Sequence, residues 1–297
     1  MGLTAEVPLE RLEFAVDGGT LAAVRLGSPA APQVLAVHGI TGNSRAWVPT
    51  ARALGDRAAL IAVDLRGRAA SRGLPAPYGT AAYVADLLAV LRQLEIDATL
   101  VVGHSLGAYI SSRLAVEHPA LVRRLVLVDG GLSIPGAEAV DPQEFATAFL
   151  GPALARLAME FPSREEYHAW WHAHPAFAAP NDVDDGDLHA YADHDLIGSA
   201  PALRSSVIAA AIRADAGELA TLGSWAHRLT QPTALLCAPR GLLGEPHPMQ
   251  PLELVTSWAA ERAERSGVLV QDVNHYTITL GARGAEATAA AIIDALP

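Results

Sequence analysis

Disulfides are excluded at the outset, because Cys237 is the only cysteine in 297 residues. No internal bridge can form, and nothing asks for an oxidising compartment. Cys237 sits in an apolar run and reads as a small buried hydrophobe. Positive charge is scarce as well. Lys and Arg total 21 against 32 Asp and Glu, a net charge of −11. That removes the basic face a nucleic-acid partner requires, and the acidic excess reads as a solvated surface. No apolar run approaches membrane-spanning length, so no membrane partner is expected. Met1-Gly2-Leu3-Thr4-Ala5-Glu6 has no basic region leading into an apolar stretch, so no secretory leader is expected there. Glu6 stands where a myristoylation motif needs Ser or Thr. The expected location is the cytoplasm. Internal repeats and low-complexity linkers are lacking too.

What is present is a large apolar inventory. Hydrophobic residues make up 51% of the chain, enough for one sizeable core with an insertion. Leu12–Val16 and Leu21–Leu26 flank Asp17-Gly18-Gly19, a hairpin signal. Val34–Val37 is a short buried-strand run that ends at His38-Gly39-Ile40, and Asn43 or Ser44 can cap a helix reaching about Leu54. Leu60–Val63 follows and ends at Asp64-Leu65-Arg66-Gly67. Val84, Leu87, Leu88 and Leu91 give residues 81–94 a helical period. Leu125–Val128 is a further strand that ends at Asp129. Pro232–Cys237, a helix over about 252–265, a last strand at Val268–Val270 and an Ala-rich terminal helix complete the chain. Strands alternating with helices predict an α/β fold, with a parallel sheet covered on both faces.

Chemistry is concentrated at Gly103-His104-Ser105-Leu106-Gly107. An apolar strand enters this Gly-x-Ser-x-Gly stretch and a helix leaves it, as a nucleophile elbow requires. Gly103 and Gly107 let strand and helix backbones approach closely. Ser105 is held on a strained turn beside the free N–H groups of a helix N-terminus. A serine hydroxyl also needs a base. Of the 11 histidines, His275 follows the last predicted strand at its C-terminal end, and in a doubly wound sheet those ends open on one crevice. The oxyanion of acyl transfer needs donors. The backbone N–H of Leu106 is one, and that of Ile40 in the His38-Gly39-Ile40 loop is the expected second. His38 is read as holding that loop in shape, and His104 as a structural support whose side chain points elsewhere.

Residues 135–225 break the strand–helix rhythm. They hold nine of the 16 aromatic residues in under a third of the chain. This predicts a helical lid, with Trp170 and Trp171 expected to line an apolar pocket beneath it; packing of the lid on the main domain would demand the same residues. His168, His172, His174, His189 and His194 lie here, close to several Asp. His168 and His172 have one-turn spacing, but no third ligand has a recognisable spacing, so no metal is assigned.

Taken together, His38-Gly39, Asp64-x-Arg66-Gly67, the Ser105 pentapeptide and His275 resemble the α/β-hydrolase superfamily, in its serine-nucleophile branch with an inserted helical cap. The resemblance implies a mostly parallel eight-stranded sheet with helices on both faces. It implies a core of residues 1–134 and 226–297 with a cap at 135–225. It also implies a Ser–acid–His triad and an acyl-enzyme mechanism without cofactor. Ser105 argues against dehalogenase and epoxide hydrolase relatives, which carry Asp there. The acid is open between two positions. The family's usual loop, after the penultimate strand, holds only Glu245. Asp129, at the end of the strand after the elbow helix, is favoured because it needs no assumption about loop reach. The expected function is hydrolysis of a carboxylic ester or lactone of a small, largely apolar molecule by a monomer or homodimer. The alternatives are a carbon–carbon or amide hydrolase on the same triad, or a slow-turnover ligand-binding receptor.

Overall fold

Strand residues buried on both faces send alternate side chains into two separate cores. In β3 (Gln33–Val37) Leu35 and Val37 join one core, and Val34 and Ala36 join the other. β4 (Ala59–Val63), β5 (Thr99–His104) and β6 (Val122–Val128) divide their side chains in the same way. These observations come from a computed structural model, which describes residues 6–136, 151, 154–178 and 180–296. β1 (Leu9–Val16) and β2 (Gly19–Leu26) precede these strands, with β9 (Thr233–Cys237) and β10 (Arg265–Leu269) after them. The eight form one sheet in the order β1-β2-β4-β3-β5-β6-β9-β10. β1, β2 and β4 pair antiparallel in succession, and every other pair is parallel. A separate two-residue ladder joins β7 (Leu196–Ile197) to β8 (Arg204–Ser205).

The last strand differs from its apolar pattern. It begins at Arg265 rather than near Val268, because its parallel partner β9 begins at Thr233, which faces Arg265. It is an edge strand, and Val268 is 45% exposed. Burial on one side only is why its apolar run understates its length.

The parallel register aligns the strand ends. Val37 lies opposite Gly103, and His104 opposite Val128. His38, Ser105 and Asp129 therefore emerge side by side at the C-terminal ends of three central strands. The helix α1 (Val48–Leu54) is followed by α2 (Thr80–Gln93) and α3 (Leu106–Glu117). Between β6 and β9 come α4 (Arg164–His172), α5 (Asp185–Asp195) and α6 (Ala209–Leu222). α7 (Leu252–Ala260) and α8 (Ala282–Ala295) follow β9. Among the described residues, no helix is long and apolar enough to cross a membrane.

The helices between β6 and β9 carry a third core of their own, including Phe161, Tyr167, Trp171, Phe177 and Tyr191. Polar ties hold them to the sheet. His194 Nε2 lies 2.7 Å from an Asp64 carboxylate oxygen. Arg52 grips Asp187 with two hydrogen bonds of 2.6 and 2.8 Å. The other Asp64 oxygen accepts the Ser44 N–H at 2.8 Å. Burial works to raise the Asp64 carboxyl, but the His194 hydrogen bond and charge outweigh it and hold it below the usual carboxylate range.

Candidate active site

The turn after β5 is tight because two glycines permit it. A Cβ on Gly103 would overlap the Gly107 carbonyl, and one on Gly107 would overlap the Val37 carbonyl. Ser105 sits at φ 53° and ψ −120°, a left-handed region that costs a non-glycine residue energy. Its N–H donates to the Val128 carbonyl at 3.0 Å, and its carbonyl accepts the Ala108 N–H at 2.9 Å. Strand pairing on one side and the first turn of α3 on the other thus enforce the strain. Ser105 stays partly exposed while its neighbours are buried.

Asp129 also has positive φ, at 46°. It is held by its own N–H, which donates to the Leu236 carbonyl at 2.7 Å. One carboxylate oxygen accepts the Ala238 N–H at 3.0 Å. The other lies 2.7 Å from His275 Nδ1, with both side chains buried. Nδ1 must carry the proton in this contact, which leaves the Nε2 lone pair as the basic position. Glu245 does not share that contact. Its carboxylate accepts the Leu243 N–H at 2.7 Å within its own loop.

Ser105, His104 and His275 line one cavity of about 200 Å³. Gly39, Ile40, Tyr191, Glu245 and Tyr276 contribute to its walls. Leu106, next after Ser105, is buried at the start of α3. The Ile40 peptide is positioned from behind by Arg68, whose Nε donates to the Ile40 carbonyl at 3.0 Å. Arg68 is itself fully buried and ion-paired with Asp215 of α6. Tyr83 bridges that pair at 2.7 and 2.8 Å. No motif in the sequence points to this support, because Asp215 lies 147 residues from Arg68.

Two expectations need correction. Trp170 and Trp171 are not among the residues lining the cavity. Trp171 is 1% exposed and makes edge contacts with Tyr167, Phe177 and Tyr191, while Trp170 packs beside it. Aromatic density alone does not separate a packed ring from a lining one; Tyr191 and Tyr276 reach the cavity instead. His104 does not point away. Its ring lines the cavity, lies 4.7 Å from the His275 ring centroid, and places Nε2 2.9 Å from the His275 carbonyl. A carbonyl only accepts, so His104 Nε2 is protonated and steadies the backbone of His275. Burial, and then the nearby His275, hold the His104 imidazole well below its usual range. His168 and His172 both pack against His189: the His168 ring stacks on it at 3.9 Å while its Nε2 meets Asp193, and His172 Nε2 lies 2.9 Å from His189 Nε2.

His38 accepts the Leu65 N–H at Nε2, 3.0 Å away, so its Nδ1–H donates to the Gly39 carbonyl at 2.7 Å. A neutral ring locks the loop that carries Ile40. Burial is the main cause that pushes its pKa down to about 4 from 6.5. The unfolded chain therefore takes up a proton below pH 6.5 that the folded chain refuses. This contribution is complete above pH 6.5 and is lost as pH falls towards 4. It amounts to about 3 kcal/mol in all. Urea unfolding at pH 7 and pH 4.5 should show the loss. His38→Asn should shrink the difference, and an unchanged difference would assign the acid sensitivity elsewhere.

A sequence profile described as alpha/beta hydrolase fold matches residues 32–164. Among curated relatives, the 2-(acetamidomethylene)succinate hydrolase of Mesorhizobium japonicum is 40% identical over 98 residues, 33% of this chain and 35% of that one. The chain spans 35 to 40% of the length of the curated relatives it matches. A solved E-2-(acetamidomethylene)succinate hydrolase superposes with a TM-score of 0.77 at 24% identity, covering 97% of this chain and 98% of the other. An M. tuberculosis esterase superposes with a TM-score of 0.71 at 25% identity, covering 98% and 93%.

Proposed function

We propose that this chain, which belongs to the α/β-hydrolase superfamily, is a serine hydrolase that cleaves a carboxylic ester or lactone of a small, largely apolar molecule. The observation that carries this reading is the 2.7 Å contact between His275 Nδ1 and Asp129, at a cavity that His275 shares with Ser105. Asp129 keeps the Nδ1–H tautomer and stabilises the imidazolium once it forms. His275 Nε2 takes the Ser105 proton as the oxygen attacks the substrate carbonyl. The Ile40 and Leu106 N–H groups receive the oxyanion. The C–O bond to the alcohol then breaks, and imidazolium returns its proton to the leaving oxygen. Water, activated in turn by His275, attacks the acyl-serine and releases the acid. No metal or cofactor enters this scheme.

The helices between β6 and β9 serve as a cap, with Tyr191 and His174 closing the cavity above Ser105. Cys237 is buried, and burial pushes its thiol up to about 12, so it stays protonated and inert. We place the enzyme in the cytoplasm. A second reading, amide hydrolysis on the same residues, draws support from the relative named for an acetamido compound.

Short-chain p-nitrophenyl esters, matched p-nitroanilides and a small β-diketone separate these readings. We expect steady multiple turnover on the esters. A single burst of nitrophenol that stops at one equivalent would favour a slow-turnover receptor. Faster cleavage of the anilides, or of the diketone, would replace the ester reading.

A further inference from the structure

The cavity is apolar over much of its wall, through Ile40, Leu242, Leu243, Met249 and Leu280. His104 and His174 add no fixed positive charge to it. Burial pushes His174 down to about 4 and holds His104 well below its usual range. Among the described residues that line this cavity, the carboxylate is that of Glu245, which is half-buried.

Four arginines near the site are engaged elsewhere. Every one of the chain's 21 basic residues is an arginine. Arg68 is paired with Asp215, Arg52 with Asp187 and Arg156 with Asp195. Arg240 donates to the carbonyls of Val273 and Asp272. None lines the cavity among the described residues. Residues 137–150, 152–153 and 179 contain no Arg, Lys or His, and they include Glu138, Asp141 and Glu144.

We infer that Glu245 acts as a charge filter at this cavity, accepting uncharged and cationic substrate groups and rejecting groups that carry a carboxylate. The inference rests on the hydrolase reading above and extends it to the charge class of the substrate. A substrate carboxylate would lose its water beside Glu245 and near buried Asp129, with no arginine among the described lining residues to replace the lost solvation. A quaternary ammonium group would meet an opposite charge and the tyrosine rings of Tyr191 and Tyr276, surfaces that suit such cations. An uncharged group would meet only the apolar wall.

Three p-nitrophenyl esters with acyl chains of matched length test this, ending in methyl, carboxylate or trimethylammonium. The methyl ester should exceed the carboxylate ester in kcat/KM by about 10²-fold, with the trimethylammonium ester at least as good as the methyl one. Glu245→Gln retains an acceptor for the Leu243 N–H. It should lower the ratio of cationic to anionic ester by about tenfold. Calorimetry with hexyltrimethylammonium and hexanoate repeats the comparison without turnover and in the same order. A carboxylate ester within threefold of the methyl ester overturns the filter, and so does an unchanged ratio in Glu245→Gln. Should all three esters fail to turn over, the hydrolase reading falls while the calorimetric order still judges the filter. If Glu245→Gln does not fold, the wild-type ester and calorimetric orders decide the matter.

Discussion

Ser105→Ala is expected to lower kcat on the best ester by on the order of 10⁶-fold, as the loss of a nucleophile does in a serine hydrolase. The same change should abolish labelling by a fluorophosphonate probe, which in the wild type should add one adduct, on Ser105. Alanine retains the Cβ that defines the strained turn, and it leaves the Ser105 N–H bond to Val128 in place. The thermal unfolding midpoint should therefore move little, which separates lost chemistry from lost fold. An unlabelled wild type with full esterase activity would remove Ser105 from the mechanism. So would a Ser105→Ala protein within tenfold of wild type.

Asp129→Asn carries the second large effect. The amide oxygen can still accept the Ala238 N–H, so the strand end keeps its shape. The amide nitrogen then faces His275 Nδ1 across 2.7 Å. Two donors cannot share that contact, so the ring moves its proton to Nε2 and loses the lone pair that serves Ser105. Turnover should fall by roughly 10⁴-fold, the size that the serine-protease template shows for this change. Glu245→Gln, measured on the uncharged ester, should cost less than tenfold, because Glu245 bonds within its own loop. The order of the two losses carries the test, since each absolute value depends on the rate-limiting step. A larger loss in Glu245→Gln would move the acid to the loop after β9.

The two variants probe different kinds of knowledge. The elbow is a local feature: glycine spacing, a strand before it and a helix after it are all sequence properties. The same holds for the alternation in β3 to β6, because strands buried on both faces must be apolar throughout. The sheet and its chain order are legible for that reason. β10 is less so, since an edge strand needs little apolar content to pair.

Other features have no local cause. Asp129 and Glu245 were both chemically able to orient a histidine. What separates them is the parallel register of β6 with β9, which brings Asp129 to His275 across 146 residues. Trp170 and Trp171 carry the residue type a pocket wants. Yet the packing of α4 against α5 turns them into a third core and leaves Tyr191 and Tyr276 to reach the cavity. His104 flanks the serine, and the route of the chain after β10 puts the His275 carbonyl within reach of its ring. The Arg68–Asp215 pair behind Ile40 likewise exists only because α6 returns beneath the loop. By itself, then, the sequence determined the buried strands of the main sheet, their order along the chain and the residue types able to do chemistry. These depend on burial pattern and backbone conformation over a few neighbouring residues. The tertiary structure alone decided which carboxylate meets His275, which rings face the cavity and which charge guards it. Those depend on packing between separate elements, from α4 against α5 to Asp129 against His275 across 146 residues, and no pattern within one element encodes it.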